Sequence, residues 1–423
     1  MSTVAEQSAT PAILGGPRAI TLDQTEANRW PIITREDEDA VLRVLRSGQL
    51  SISDETAALE DDYRRWLNMR YAVAHNNGTG AILAALHAFG IGAHDEVIVP
   101  SATWWSTVMP ILHLGGVPVF AETCEQTLGL DPAHVESQIT DHTKAIVVVH
   151  LFGIPSRMDE LIAVARKHNL RILEDASHAH GATYRGKPIG TLTDAAVFSM
   201  QANKLLPSAE GGMFLTNDEA LYERVLRFGH YERLLNLQSP MRRFAATGFG
   251  FKFRMSPLSA AVARSQFRKL EERNKKRNSN CEFLSHRLEK LGFYTFLSRP
   301  EAERVYFEFL VRYDEKQHGV PIKALAKALQ AEGAQVGAPR YPLLHQQPVF
   351  TEGVWAKIAR LEATPEKPLR QYAPEALPRT AHGNGSLLKL PSFPNASKEL
   401  LEQYAHAFEK VMSNASKLPR EIA

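Results

Sequence analysis

The feature that most constrains this fold is an alternation, running from about residue 71 to 216, of short apolar stretches with amphipathic ones. The apolar stretches are 71–74, 96–99, 117–120, 144–150, 171–175, 195–199 and 212–215, and helical patterns separate them near 80, at 106–114 and at 158–168. Strands that are apolar on both faces and return through helices predict a mostly parallel sheet covered on both sides, an α/β fold. Ligands of such sheets gather at the carboxyl ends of the strands. Two of those ends carry conspicuous polar residues: the turn His75-Asn76-Asn77-Gly78-Thr79-Gly80 and the run Glu174-Asp175-Ala176-Ser177-His178.

The flanking sequence divides the chain. Residues 1–30 lack periodicity and read as a tail ending in an ordered arm. Ala40, Val41, Val44 and Leu45 recur at helical spacing within 34–47, and a second helix is expected over 55–67. A large domain over 31–261 follows from this pattern. From Met255 to Leu291 a lysine- and arginine-rich stretch with spaced leucines predicts one or two long helices with a solvated face. Arg304–Arg312 alternates like a half-buried strand and 321–332 like a helix, so 262–423 is expected to form the long helix and a small α+β domain.

Length and charge narrow the function. A chain of 423 residues has room for one large α/β domain and a companion. Lys+Arg 49 against Asp+Glu 47 gives a net +2, which argues against nucleic acid and for a small ligand. Cys124 and Cys281 stand far apart without metal-ligand spacing, so neither a metal site nor a disulfide framework is expected. The N-terminus lacks a basic start followed by an apolar run, and the longest apolar run, Ala145–Ile154, is about half of a membrane span. A cytoplasmic, soluble protein is expected.

Chemistry concentrates at a few positions. Lys204 follows an apolar strand and precedes Glu210-Gly211-Gly212, a turn that lets backbone approach a ligand. A lysine confined there would have a lowered pKa and a neutral amine able to form a Schiff base, whereas a lysine taken alone is more often a solvated loop residue. Asp175, a carboxylate at a buried strand end, needs a cationic partner such as a protonated pyridine nitrogen, or else a cap or ion pair. His178 could bond the phenolic oxygen of such a ring or be a satisfied core histidine. Gly78 and Thr79, in a turn opening a helix, offer N–H groups, a hydroxyl and the helix dipole to a phosphate, and Ser199 adds a hydroxyl. Trp104 could lie on a flat ring or pack in the core.

In this order, the glycine–hydroxyl turn, the Pro-x-x-Thr-Trp at 100–104, Glu-Asp-Ala-x-x-x-His-Gly-Ala at 174–182, Ser199 before Lys204, and Glu210-Gly211-Gly212 resemble the DegT/DnrJ/EryC1/StrS aminotransferases. The resemblance runs from about residue 30 to 400. It implies an aspartate-aminotransferase-like fold (pyridoxal-phosphate fold type I), pyridoxal 5'-phosphate as cofactor, and a homodimer with shared active sites. It further implies Lys204 as Schiff-base lysine and proton shuttle, Asp175 at the ring nitrogen, His178 near the phenolic oxygen, Trp104 stacking, and Gly78, Thr79 and Ser199 on the phosphate. Relatives carry asparagine where this chain has Lys252, in Lys252-Phe253-Arg254-Met255, and a lysine can still serve the neighbouring subunit's phosphate as a point charge. With Trp104-Trp105 and Leu14-Gly15-Gly16, that variant is most similar to glutamine:scyllo-inosose aminotransferases. The expected activity is ping-pong transfer of an amino group from L-glutamine or L-glutamate to a keto-cyclitol, with Arg254, Tyr341 and His345 as substrate contacts. A nucleotide-keto-sugar acceptor and a non-catalytic regulatory protein are the alternatives.

Overall fold

The computed structural model describes residues 9–363 and 368–419; the first eight residues of the expected tail lie outside the described residues. Nine strands of the first half are β1 (Tyr71–His75), β2 (Glu96–Pro100), β3 (Val117–Ala121), β4 (Thr143–Val149), β5 (Arg171–Asp175), β6 (Thr183–Tyr184), β7 (Lys187–Pro188), β8 (Ala195–Ser199) and β9 (Gly212–Thr216). Seven of them form one sheet in the order β1-β9-β8-β5-β4-β2-β3. All pairings are parallel except those of β9, which runs antiparallel to both neighbours. The sheet is therefore mixed but mostly parallel.

Alternation along the strands explains its burial. Ile146 and Val148 of β4 enter one apolar cluster with Ala72, Ala74 and Ile98, while Ala145 and Val147 enter another with Val73, Val97 and Val99. With both faces covered, strands of this composition have no solvent side. The covering helices are α1 (Arg35–Ser47), α2 (Asp54–Leu67), α3 (Gly78–Phe89), α4 (Met158–Lys167) and α5 (Glu219–Gly229), followed by α6 (Pro257–Phe267) and α7 (Leu270–Glu289). Helix α1 starts in a capping box between Thr34 and Asp37 and stops at Gly48, whose φ of 73° suits glycine. The helix expected at 106–114 is instead a short 3-10 turn, Trp105–Thr107, followed by Met109–His113. Pro110, which has no N–H, sits in the first turn of the second piece.

A second, two-stranded sheet pairs β11 (Phe309–Arg312) with β12 (Leu387–Leu390), and α8 (Ile322–Ala331) and α9 (Lys398–Ser413) share its apolar cluster with α7. Strand pairing begins later than the sequence alternation predicts. After β10 (Ala302–Glu303), residues 304–308 leave the ladder because Arg304 is buried and spends its guanidinium on carbonyls, including Phe296 O at 2.9 Å. The bend brings Phe307 beside Lys204.

Segments from both sides of the division expected at residue 262 share apolar clusters. Ile20 and Ala27 of the leading arm pack into the smaller cluster. Conversely Leu344, Phe350, Trp355 and Tyr372 join the large sheet's cluster beside Phe120. No helix among the described residues is long and apolar enough to cross a membrane.

Candidate active site

The polar strand ends meet in one cavity of about 470 Å3. Asn77, Gly78, Thr79, Trp104, Asp175, His178, Ser199, Lys204 and Tyr341 all line it. Neighbouring strands ending on one side of a parallel sheet accomplish this: β5 ends in Asp175, β8 in Ser199, and the β1–α3 turn lies across β9 from Ser199.

Lys204 lies in the β8–β9 connection. Met200 N–H to Gly211 O (2.8 Å), Ser208 N–H to Met200 O (2.7 Å) and Ala202 N–H to Ala209 O (2.9 Å) tie that loop across itself. From outside, the Trp30 indole donates to Lys204 O at 3.0 Å. Lys204 is 9% exposed, and its amine lies 4.7 Å from the centre of the Phe307 ring. Burial lowers its pKa to about 8, against a partial offset from Asp175. A proton carrier near neutrality results.

Asp175 is 5% exposed and held from two sides, by Thr107 Oγ1–H at 2.8 Å and Ser177 N–H at 3.2 Å. Its neighbour Glu174 points the other way and ties down the turn after β7, accepting from Gly190 N–H and Leu192 N–H at 2.8 Å each. Strand alternation thus splits the acidic pair into one site carboxylate and one structural carboxylate.

The turn into α3 is built for close approach. Asn77 caps the helix by accepting from Gly80 N–H at 2.7 Å, while the Gly78 and Thr79 amides that open α3 have no intrahelical acceptor. A Cβ on Gly78 would come within 2.9 Å of Ser199 Cβ, and one on Gly212 within 2.3 Å of Asn77 O. Thr79 Oγ1 and Ser106 Oγ are 2.8 Å apart beside it.

Aromatic groups close the opposite side. His178 stacks on Phe307 at 4.2 Å and lies between the Phe152 N–H (3.3 Å, to Nδ1) and the Tyr341 hydroxyl (3.2 Å, to Nε2). Its pKa is well below the usual histidine value, first from burial and then from Lys204, so it is a neutral ring. Trp104 is 45% exposed and stands 5.8 Å from the Tyr341 ring.

Three sequence candidates are not brought to this cavity. His345 is buried elsewhere, its Nδ1 2.6 Å from Ser101 Oγ and its Nε2 3.0 Å from Pro374 O, which makes it a structural link. Arg254 lines a separate small cavity near Glu232, because its segment pairs with His75 on the far side of the turn. Lys252 is exposed and absent from the cavity walls of its own chain. Conversely, Thr107, Ser106, Phe307 and Arg340 also line the cavity and carry no signal along the chain. Hydroxyls after a Trp pair and a broken strand carry no motif.

Comparison with known proteins agrees with this geometry. A family model described as the DegT/DnrJ/EryC1/StrS aminotransferase family matches residues 31–409. The L-glutamine:2-deoxy-scyllo-inosose aminotransferase of Streptoalloteichus tenebrarius is 35% identical over 335 residues, 76% of this chain and 79% of that protein. Spore coat polysaccharide biosynthesis protein SpsC of Bacillus subtilis is 31% identical over 398 residues, 91% of this chain and 96% of its own. The X-ray structure of an aminotransferase from Psychrobacter cryohalolentis superposes with a TM-score of 0.80 at 26% identity, covering 92% of this chain and 99% of that one.

Proposed function

Since this chain belongs to the DegT/DnrJ/EryC1/StrS aminotransferase family and has its type I fold, we propose that it moves an amino group from L-glutamine or L-glutamate to a keto-cyclitol of the scyllo-inosose type. One observation carries the chemistry: the buried Lys204 amine, with a pKa near 8, shares a cavity with a fixed carboxylate at the end of β5. The acceptor class rests on the name of the S. tenebrarius relative.

The cavity fits pyridoxal 5'-phosphate. Two glycines whose Cβ atoms would collide with Ser199 and Asn77 leave room for a phosphate against the free amides of α3, with Thr79 and Ser199 hydroxyls beside it. Asp175 would face the ring nitrogen and keep it protonated. Trp104 would cover one face of the ring, and neutral His178 would bond its phenolic oxygen through the edge that now meets Tyr341. When bound, the cofactor supplies an electron sink as the C–H bond at the amine carbon breaks.

The protein's own groups do the rest. With the cofactor in place, Lys204 Nζ would take the proton from the donor carbon in the first half-reaction and deliver one to the acceptor carbon in the second. A pKa near 8 lets the same atom serve in both directions. Asp175 holds the ring's positive charge, and Thr107 and Ser177 hold Asp175. Donor product leaves before acceptor enters, so the kinetics are ping-pong.

Lys252 completes the site in our reading by reaching a second copy of the chain in a homodimer working in the cytoplasm. Its exposure, its absence from its own cavity and the exposed Phe249 and Phe251 beside it in sequence support that placement. Arg254 and His345 receive no substrate role.

The test is direct. Lys204→Ala should lose the yellow, borohydride-reducible link to the cofactor and all turnover; full activity would sink the proposal. Asp175→Asn should keep fold and colour but lose turnover by orders of magnitude. A panel of keto-cyclitols and nucleotide keto-sugars against the aminated cofactor form would then identify the acceptor, and reaction with nucleotide sugars alone would refute the cyclitol assignment.

A further inference from the structure

The leading arm is fastened to the rest of the chain on both sides of Trp30. Upstream, Ile20 N–H donates to Glu332 O at 2.9 Å and Gln24 Nε2–H to Gly333 O at 2.8 Å, both just past the end of α8. Downstream, Ile32 O accepts from Arg273 Nη2–H of α7 at 3.0 Å and from Gln266 Nε2–H of α6 at 3.2 Å. Between these anchors the half-buried Trp30 reaches the β8–β9 connection, where its indole N–H meets Lys204 O at 3.0 Å. Among the described residues no other group bonds that carbonyl.

Two cations of α7 hold the ring. The Arg277 guanidinium lies 4.3 Å from the centre of the Trp30 ring and that of Arg273 lies 5.6 Å from it, both within the range of attraction between a guanidinium and an indole. Arg277 is 2% exposed and makes no ion pair among the described residues. Its Nη1 has a long 3.5 Å contact to Asn274 Oδ1, and its Nε has no hydrogen-bond partner. Burial lowers its pKa to about 10, so it remains a cation at neutral pH. A buried cation without a carboxylate is costly, and the partner this structure supplies is the indole.

We infer that Trp30 is a positioning residue for Lys204, with its indole, clamped by Arg277, fixing the backbone that carries the reactive amine. The inference rests on the reading of Lys204 as the proton carrier and deepens it. The bonds from Ser208 to Met200 and from Ala202 to Ala209 tie the β8–β9 connection to itself. Trp30 ties it instead to the arm and, through Arg277 and Ile32, to α7. The amine stands at the end of four methylenes, so a shift of the Lys204 backbone moves it relative to the carbon it must reach. A misplacement on the order of 1 Å costs about 100-fold in rate. A connection held in place also keeps water from the amine, whose lowered pKa comes from burial.

Trp30→Phe in the holoenzyme tests this, because phenylalanine keeps an aromatic ring for Arg277 and removes the N–H donor. Hydrogen exchange of the amides in 200–211 should quicken by about fivefold. The kcat should fall by about five- to tenfold with KM for glutamine unchanged, and the acid limb of its pH profile should move to higher pH as water reaches Lys204. Arg277→Met should reproduce part of both effects, and Arg277→Lys, which keeps a cation beside the ring, should lie closer to wild type. Unchanged exchange in 200–211 overturns the inference. So does a Trp30→Phe protein that melts at a lower temperature yet keeps kcat and its pH profile, since Trp30 is then structural only. Exchange needs no turnover, so a quickened loop in a protein whose wild type performs no half-reaction would refute the aminotransferase reading and leave the tie between Trp30 and the loop standing.

Discussion

At the scale of single residues, Lys204 is held at a cost that stability measurements can read. Its pKa falls from the model-compound value of 10.5 to about 8 because the cavity desolvates the ammonium. Below pH 8 folded and unfolded chains both hold the proton, so the whole cost is present. Between pH 8 and 10.5 the folded chain has released it and the unfolded chain has not, so stability rises with pH through that window. The cofactor-free Lys204→Met variant should therefore be more stable than cofactor-free wild type at pH 7, by up to about 3 kcal/mol, and the gap should close towards pH 10.5. Urea midpoints at pH 7, 9 and 10.5 measure it; a gap that is constant with pH would show that burial does not depress this amine. Thr107 offers a second prediction, since its hydroxyl donates to Asp175 Oδ2 at 2.8 Å. Thr107→Val removes a hydrogen bond to a charged group, a loss of about 1.5–3 kcal/mol, and should lower kcat/KM roughly 10- to 150-fold while the thermal midpoint moves little. Lys204, Asp175, Thr79 and Ser199 were legible in the sequence because each sits at a strand end or turn with its own chemistry. Thr107 was not, because a hydroxyl that acts only by touching another side chain leaves no pattern along the chain. His345 and Arg254 misled for the reverse reason: a polar residue near a motif looks the same whether it faces ligand or a backbone carbonyl.

At the scale of elements, the site depends on β9 running against β1 and β8 so closely that only glycine fits at its first position. Gly212 pairs with His75 on one side and Ser199 on the other, and a Cβ there would lie 2.3 Å from Asn77 O. Gly212→Ala must push the β1–α3 turn outward. The expected cost is about 1–3 kcal/mol of stability, as for other overpacked positions, together with weaker cofactor binding if the turn's amides hold the phosphate as proposed. Thermal melts and a spectrophotometric titration with pyridoxal phosphate measure both effects; unaltered affinity would place the phosphate elsewhere. The strands of the large sheet were readable because each is an apolar run closed by a polar or turn residue, a pattern that survives without knowledge of partners. The break at 304–308 was not readable, because whether Arg304 buries its guanidinium against carbonyls is decided by Phe296 and its neighbours in space.

At the scale of the whole molecule, one chain does not account for all of its own apolar and basic surface. Trp104 and Trp105 by the cavity mouth, and Phe249 and Phe251 around Lys252, are all left at least two-fifths exposed. Isolated exposed apolar residues are ordinary, but large aromatic ones next to a site mark surface that another molecule covers. If that molecule is a second copy and Lys252 reaches its Lys204 cavity, as proposed, two-fold symmetry makes the contact reciprocal and each site needs residues from both chains. Lys252→Glu should accordingly impair phosphate binding, and Lys204→Ala should abolish turnover, each when present in both subunits. Mixed after dissociation and reassociation, the two inactive proteins form heterodimers in which one site combines an intact Lys204 with an intact Lys252. Random pairing yields about half heterodimers, each with one working site of two, so activity should return to about a quarter of wild type. Sedimentation or size-exclusion measurements establish that exchange has occurred. Exchange without recovery would mean that Lys252 serves the chain it belongs to, and absence of a dimer would remove the premise.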